Sequence, residues 1–255
     1  MDYSRDGPVA TVTLDNPELD NRIDAVTADS LRDVCRALAQ DDSLRLVVIT
    51  GNGRAFSVGR SNLSDSADID LGEGSLAWIN QHQVATAVSD LQVPVIAAVN
   101  GDAMDHGLEL ALAADLRIAS ENARLGFSNL GQGAMPWDGG TQRLLRLIGP
   151  AWASDMLLTG RIVDAKQALE IGLVNRVVPA GRLAEETCAL AERVLAGAPI
   201  AARYAKEAVH KGMDLSLSQA LRLEADLNLL LHTTSDRAEG LRSFLERRDP
   251  EFSGQ

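Results

Sequence analysis

Three scarcities narrow the possibilities before any motif is sought. Cysteine is rare: Cys35 and Cys188 are the only two in 255 residues. They lie far apart, in helix-like segments and without metal-ligand spacing. Neither a disulfide framework nor a metal centre is expected, and both read as reduced, partly buried thiols. Positive charge is also short, with 24 basic against 36 acidic side chains and a net charge of -12. Phosphate contacts need a basic surface, so a nucleic-acid partner is excluded, and an anionic ligand needs a local basic patch working against the global field. Long apolar runs are missing as well. No stretch approaches the roughly 20 residues of a spanning helix. Met1-Asp2-Tyr3-Ser4-Arg5-Asp6-Gly7 has no apolar region of the signal-peptide kind. A cytoplasmic location without a membrane partner is the expectation.

What is present is ample core material. Hydrophobic residues make up 45% of the chain and charged residues 24%, enough for one large α/β domain or a core with an appendage. Val9 to Leu14 alternates and is β-branched, the pattern of a strand. Ser30 to Gln40 places Leu31, Val34, Cys35 and Leu38 at helical spacing. Leu44 to Thr50 reads as a strand closed by the turn Gly51-Asn52-Gly53. Gly59 to Gly74 is polar and reads as a mobile loop. Leu76 to Leu91 reads as a helix, and Val93 to Val99 as a buried strand started by Pro94. Gly107 to Ala114 reads as a helix and Asp115 to Ala119 as a strand. Two helices follow, Gly140 to Ile148 and Ala151 to Thr159. Leu183 to Phe244 is almost wholly helical, with breaks near Gly197-Ala198-Pro199 and Gly212. Strands alternate with helices early and helices alone fill the end. This predicts a parallel-sheet α/β core over 1–195 and a helical region over 196–255.

Four features carry chemistry. In Arg54-Ala55-Phe56-Ser57-Val58-Gly59-Arg60-Ser61, a glycine after a strand and turn lets a backbone amide point into a cleft. In Val99-Asn100-Gly101-Asp102-Ala103-Met104-Asp105-His106-Gly107-Leu108-Glu109, a strand runs through a turn into a helix, whose first amides are unpaired and partly positive. One amide from each segment can bind a developing oxyanion. Glu109 sits among Leu108, Leu110, Ala111 and Leu112. It is either a satisfied structural carboxylate or a catalytic one, and burial suits the second by raising its pKa. Finally, Phe127 to Arg143 is a long Gly-rich loop leading into a helix. It lacks the Lys-Ser/Thr ending of a P-loop, so nucleotide hydrolysis is not expected.

At these residues the chain resembles the enoyl-CoA hydratase/isomerase (crotonase) superfamily along nearly its whole length. The stretches that carry the resemblance are VVITGNGRAFSVGRSNL, PVIAAVNGDAMDHGLELALAADLRIAS, PWDGGTQRLLRLIG, ALEIGLVNRVVP and FLERRDPEF, in matching order and spacing. The resemblance implies a stack of ββα units with a C-terminal helical region that mediates trimer contacts, in a homotrimer or homohexamer. It implies an acyl-CoA thioester substrate and no cofactor beyond the coenzyme A that the substrate carries. It implies that the backbone amides of Arg60 and His106 bind the thioester oxygen, each worth about 3 kcal/mol to the transition state. It assigns Glu109 as principal acid/base. It places Arg22 and Ile23 beside the adenine, Ser57 on the substrate side, and Phe244 and Arg247 where a neighbouring subunit completes the CoA site. Solvated charge for the arginines and core packing for Phe244 are the plain alternatives.

The departures from the family pattern bear on the reaction. His106 stands in a run that is usually three glycines. The family's second glutamate is Asn129 here, which orients a water or carbonyl but accepts no proton at neutral pH. Two groups stand where they can compensate. Asp138 lies one residue beyond the aspartate of dienoyl-CoA isomerases and aryl-CoA dehalogenases; Trp137 holds that position itself and shapes the acyl pocket. His82 falls where the dehalogenases carry a histidine base, though an exposed helix histidine is the simpler reading. Hydration by a single glutamate through an enolate is the expectation. Isomerisation, decarboxylation, hydrolysis or dehalogenation on the same scaffold are the alternatives within enzymes, and a catalytically weak acyl-CoA-binding protein is the alternative outside them.

Overall fold

The computed structural model describes residues 1–59 and 83–255. Arg60, His82, the rest of the expected loop to Gly74 and the first part of the expected helix from Leu76 lie outside the described residues. By contacts the chain divides into two compact units, 1–91 with 95–187, and 92–94 with 188–255.

Apart from the polar edge strand β1, β-branched and apolar runs build the first unit's larger sheet. β1 (Asp2–Asp6), β2 (Val9–Leu14), β3 (Leu46–Gly51), β5 (Val95–Val99), β7 (Leu116–Ser120) and β10 (Arg176–Val178) pair in that order. β1 joins β2 antiparallel; the other neighbours pair parallel. A parallel strand buried on both faces reads as a continuous apolar run rather than as an alternation. β5 does so, with all five residues buried. The second sheet comprises β4 (Ala55–Ser57), β6 (Asp102–Met104), β8 (Arg124–Gly126) and β9 (Val163–Asp164). Three times, then, a strand of the larger sheet turns directly into one of the smaller: β3 into β4, β5 into β6, β7 into β8.

The helices of this unit are α1 (Ala25–Ala39), α2 (Ala85–Ser89), α3 (His106–Leu112), α4 (Gly140–Thr159), α5 (Ala165–Glu170) and the start of α6 (Leu183–Leu195). α1 begins five residues before the expected Ser30, because the Asp24 carboxylate accepts the Thr27 N–H at 2.7 Å and caps the helix there. The two helices expected over 140–159 form one element broken at Gly149 (φ 76°, ψ 166°), after which Pro150 opens the second segment. Cys35 is buried, and burial pushes its thiol up to about 12. Cys188 is exposed, not partly buried as expected.

The second unit continues α6 and adds α7 (Pro199–Gly212), α8 (Leu217–Leu231) and α9 (Ser235–Glu246). The break between α8 and α9 was not visible in the hydrophobic pattern. It is made by Thr234, whose hydroxyl accepts the Arg237 N–H at 3.2 Å. The buried Asp236 then accepts the Ser253 N–H at 2.7 Å and the Gly254 N–H at 3.0 Å, holding the chain end against the start of α9.

Candidate active site

The site is organised by the turn between β6 and α3. Asp105 occupies it at φ 48° and ψ -120°, a conformation that L-residues rarely hold unless their surroundings enforce it. Its N–H donates to the Gly126 carbonyl at 3.0 Å, and its own carbonyl accepts the Glu109 N–H at 3.0 Å. Its carboxylate accepts the Ser128 N–H at 2.6 Å and the Ser128 hydroxyl at 2.7 Å. One residue thus ties the start of α3 to the end of β8 and to the segment entering Asn129. Two positions on, a Cβ on Gly107 would collide with the Ser57 carbonyl oxygen. Only glycine permits this approach of α3 to the end of β4.

Behind that turn lies a buried polar cluster. Glu109 is 1% exposed. Its Oε1 accepts the N–H of Asp138 and of Gly140, both at 2.8 Å. Burial pushes the Glu109 carboxyl up, and the His106 ring with the two amides offsets this only in part, so its pKa stays above the ordinary value. Gly140 is small for the same reason as Gly107, since a Cβ there would stand 2.9 Å from Glu109 Oε1.

Asp138 is 0% exposed. Its Oδ2 accepts the N–H of Val84 at 2.7 Å and of Ala85 at 2.6 Å; its Oδ1 accepts the Thr86 N–H at 3.1 Å and the Thr86 hydroxyl at 2.9 Å. The His106 Nε2 lies 3.1 Å from the same Oδ2. Burial alone would raise Asp138, yet the His106 ring, the Ala85 amide and the Thr86 hydroxyl outweigh it and hold the carboxyl below its ordinary value. This bears on the expectation that Asp138 can compensate for the missing second glutamate. A carboxylate with so many donors fixed on it is a charge held in place, not a mobile proton carrier. Arg143 braces the loop, donating to the Asp138 carbonyl at 2.7 Å and to the Ser89 hydroxyl at 2.9 Å.

His106, 4% exposed, packs its ring against Trp137 with centroids 5.3 Å apart and planes inclined 37°. Its Nδ1 is buried and has no hydrogen-bond partner among the described residues. The Asn129 Oδ1, on the 3-10 turn 129–132, and the Ser57 hydroxyl are likewise buried without one.

The expected adenine segment adjoins the same edge. The Ile23 N–H donates to the Gly59 carbonyl at 2.8 Å and the Val58 N–H to the Asp20 carbonyl at 3.1 Å. Ile23 points its side chain into the core while Arg22 is exposed. Phe244 and Arg247 belong to the second unit. Phe244 is 80% exposed, which rules out core packing, and Arg247 ends α9 in a left-handed conformation (φ 54°).

Sequence reasoning missed three residues that hold the site together: Asp105, Arg143 and Asn21. Asn21 is buried and spans Asn16, Asn52 and Ala55 at 2.8 Å each. For Asp105 a signal existed, a side chain where the family resemblance implies a glycine. For the other two nothing local marks them.

Fold, order of motifs and buried carboxylate define an acyl-CoA enzyme of the crotonase kind. Comparison with known proteins agrees. The profile described as enoyl-CoA hydratase/isomerase matches residues 4–255. The 2,3-dehydroadipyl-CoA hydratase of Escherichia coli (strain K12) is 38% identical over 254 residues, covering 99% of this chain and 98% of that protein. The short-chain-enoyl-CoA hydratase of Clostridium acetobutylicum is 34% identical, covering 96% of this chain and 94% of that one. Among solved structures, an enoyl-CoA hydratase from Bacillus anthracis superposes with a TM-score of 0.93 at 35% identity, covering 100% of this chain and 99% of that one. The chain belongs to the enoyl-CoA hydratase/isomerase family.

Proposed function

We propose that this protein adds water across the α,β double bond of an acyl-CoA thioester, with Glu109 as the base. The observation that carries the reading is the buried Glu109 carboxylate, fixed by two amides and raised in pKa. The two relatives share the word hydratase while differing in acyl group, which supports the reaction over any one substrate. The amides of Arg60 and His106 polarise the thioester carbonyl. Glu109 takes a proton from water as the oxygen bonds to C3, and charge moves onto the thioester oxygen as an enolate. Asn129 orients the water or the substrate. Arg22, Ile23 and Ser57 line the CoA and acyl path, with Trp137 as an acyl wall. His82 contributes to substrate binding. Coenzyme A enters as part of the substrate, and no further cofactor is required by these steps.

The ββα units form the spiral stack the resemblance implies, and the helical unit assembles the protein into a homotrimer or homohexamer in the cytoplasm. Exposed Leu217, Leu221, Leu229, Leu241, Phe244 and Leu245 support that assembly, and Phe244 with Arg247 would complete a neighbour's CoA site. No helix among the described residues is long and apolar enough to cross a membrane.

The test is Glu109→Gln against a panel of unsaturated acyl-CoAs, with products read by mass spectrometry. Loss of water addition by about 10²–10⁴-fold is expected. Unchanged hydration in the variant, or CO2 loss, free CoA or a shifted double bond as the only product of the parent enzyme, would overturn the reading.

A further inference from the structure

Hydration needs a second proton event, delivery of a proton to C2, and Asn129 has no proton of that kind to give. We propose that the His106 side chain, oriented by Asp138, is the proton donor to C2. This rests on the hydratase reading above and adds a residue to it.

Three observations converge. First, the imidazole belongs to the same buried cluster as Glu109: Nε2 lies 3.1 Å from Asp138 Oδ2, and the Asp138 N–H holds Glu109 Oε1 at 2.8 Å. Second, Asp138 cannot turn away. The Val84, Ala85 and Thr86 donors fix both of its oxygens, so it is a stationary anion facing Nε2–H. That arrangement fixes which nitrogen is left over. Third, the left-over Nδ1 is buried and has no partner among the described residues. A buried polar atom without a partner is costly unless a ligand or water supplies one. A residue that only filled the glycine's place would carry this cost for nothing. Nδ1 is also the ring nitrogen nearer the residue's own backbone, whose amide faces the thioester oxygen in the proposed site. C2 is the next carbon beyond that carbonyl. Trp137 covers the ring.

The step balances. As the enolate collapses, its electron pair forms the C2–H bond with the proton on Nδ1, and the ring is left neutral with Nε2–H still on Asp138. The proton that Glu109 took from water then passes to the ring, so one water is added and both residues are restored. Asp138 acts through His106 and is a positioning residue.

His106→Gly tests this, because it removes the imidazole and keeps the backbone amide. Hydration should fall by about 10²–10⁴-fold. Added imidazole should restore part of it, and His106→Gly combined with Asn129→Glu should restore more by returning a second carboxylate. A separate readout is exchange of the C2 hydrogens of butyryl-CoA with D2O, followed by NMR. It should be lost in His106→Gly and return with imidazole. If the glycine variant does not unfold cooperatively, His106→Gln, which keeps the volume, is read in its place. Hydration and exchange at parent rates in the variant overturn the proposal, as does loss that neither imidazole nor Asn129→Glu repairs. If the parent enzyme exchanges C2 hydrogens but hydrates nothing, the hydratase reading fails and the exchange data decide His106. If the parent does neither, both fail.

Discussion

Glu109 meets two opposed demands. Burial disfavours its charge, while two amides and the His106 ring favour it, and burial prevails. As the proposed base, Glu109 works only when ionised, so kcat/KM should fall as pH drops through its raised pKa. The acid limb should therefore sit above the ordinary carboxylate range, and a pH–rate profile checks this. Stability carries the same sign information. Between the unfolded and the raised folded pKa the native state holds the extra proton. Glu109 thus favours folding at low pH, and this is lost as pH rises through the folded value. Asp138, held below its ordinary value, behaves oppositely: its contribution is present above the unfolded pKa and lost as pH falls through the lowered one. Urea titrations across pH should show the stability of Glu109→Gln gaining on the parent as pH rises, and that of Asp138→Asn gaining as pH falls.

At the scale of elements, the junction of β6 with α3 decides whether a site exists. Gly107→Ala would drive a methyl group into the Ser57 carbonyl. It should cost about 1–3 kcal/mol or more and displace the His106 amide, so that urea midpoint and kcat fall together. Asp105 is a subtler case, since its backbone strain is balanced by two hydrogen bonds to Ser128. Asp105→Ala should lose about 1–2 kcal/mol with the bonds while the strain persists. Asp105→Gly loses the same bonds but relieves the strain, and should unfold at a higher urea concentration than the alanine variant. Equal midpoints for the two would mean that the strain is not real.

For the whole molecule, the proposed assembly follows from the helical unit's surface. Leu217 is 76% exposed and Phe244 80%, and apolar patches of this kind mark interaction surfaces. Light scattering should return three or six times the 27.2 kDa of one chain. Leu217→Asp with Leu221→Asp, one turn apart on α8, should shift the mass toward one chain. A monomeric parent enzyme would remove the trimer proposal.

Local chemistry alone determined the parallel α/β class, most helices, the strands β2, β3, β5 and β7, and the place of Glu109 on a helix after a strand and turn. These rest on periodicity and on turn residues, which act over a few positions. The limits of elements were less legible where a polar cap decided them, as at Asp24 and Thr234. The site's internal wiring was not legible at all. Asp138 stands in the sequence only as a group able to compensate for the missing glutamate, because nothing in its neighbourhood shows that it faces Val84 to Thr86, more than fifty positions earlier, or that it meets His106. Which carboxylate moves a proton and which merely holds a charge depends on burial and on the number of donors aimed at each. Those are properties of packed groups distant in the chain, and only the tertiary structure sets them.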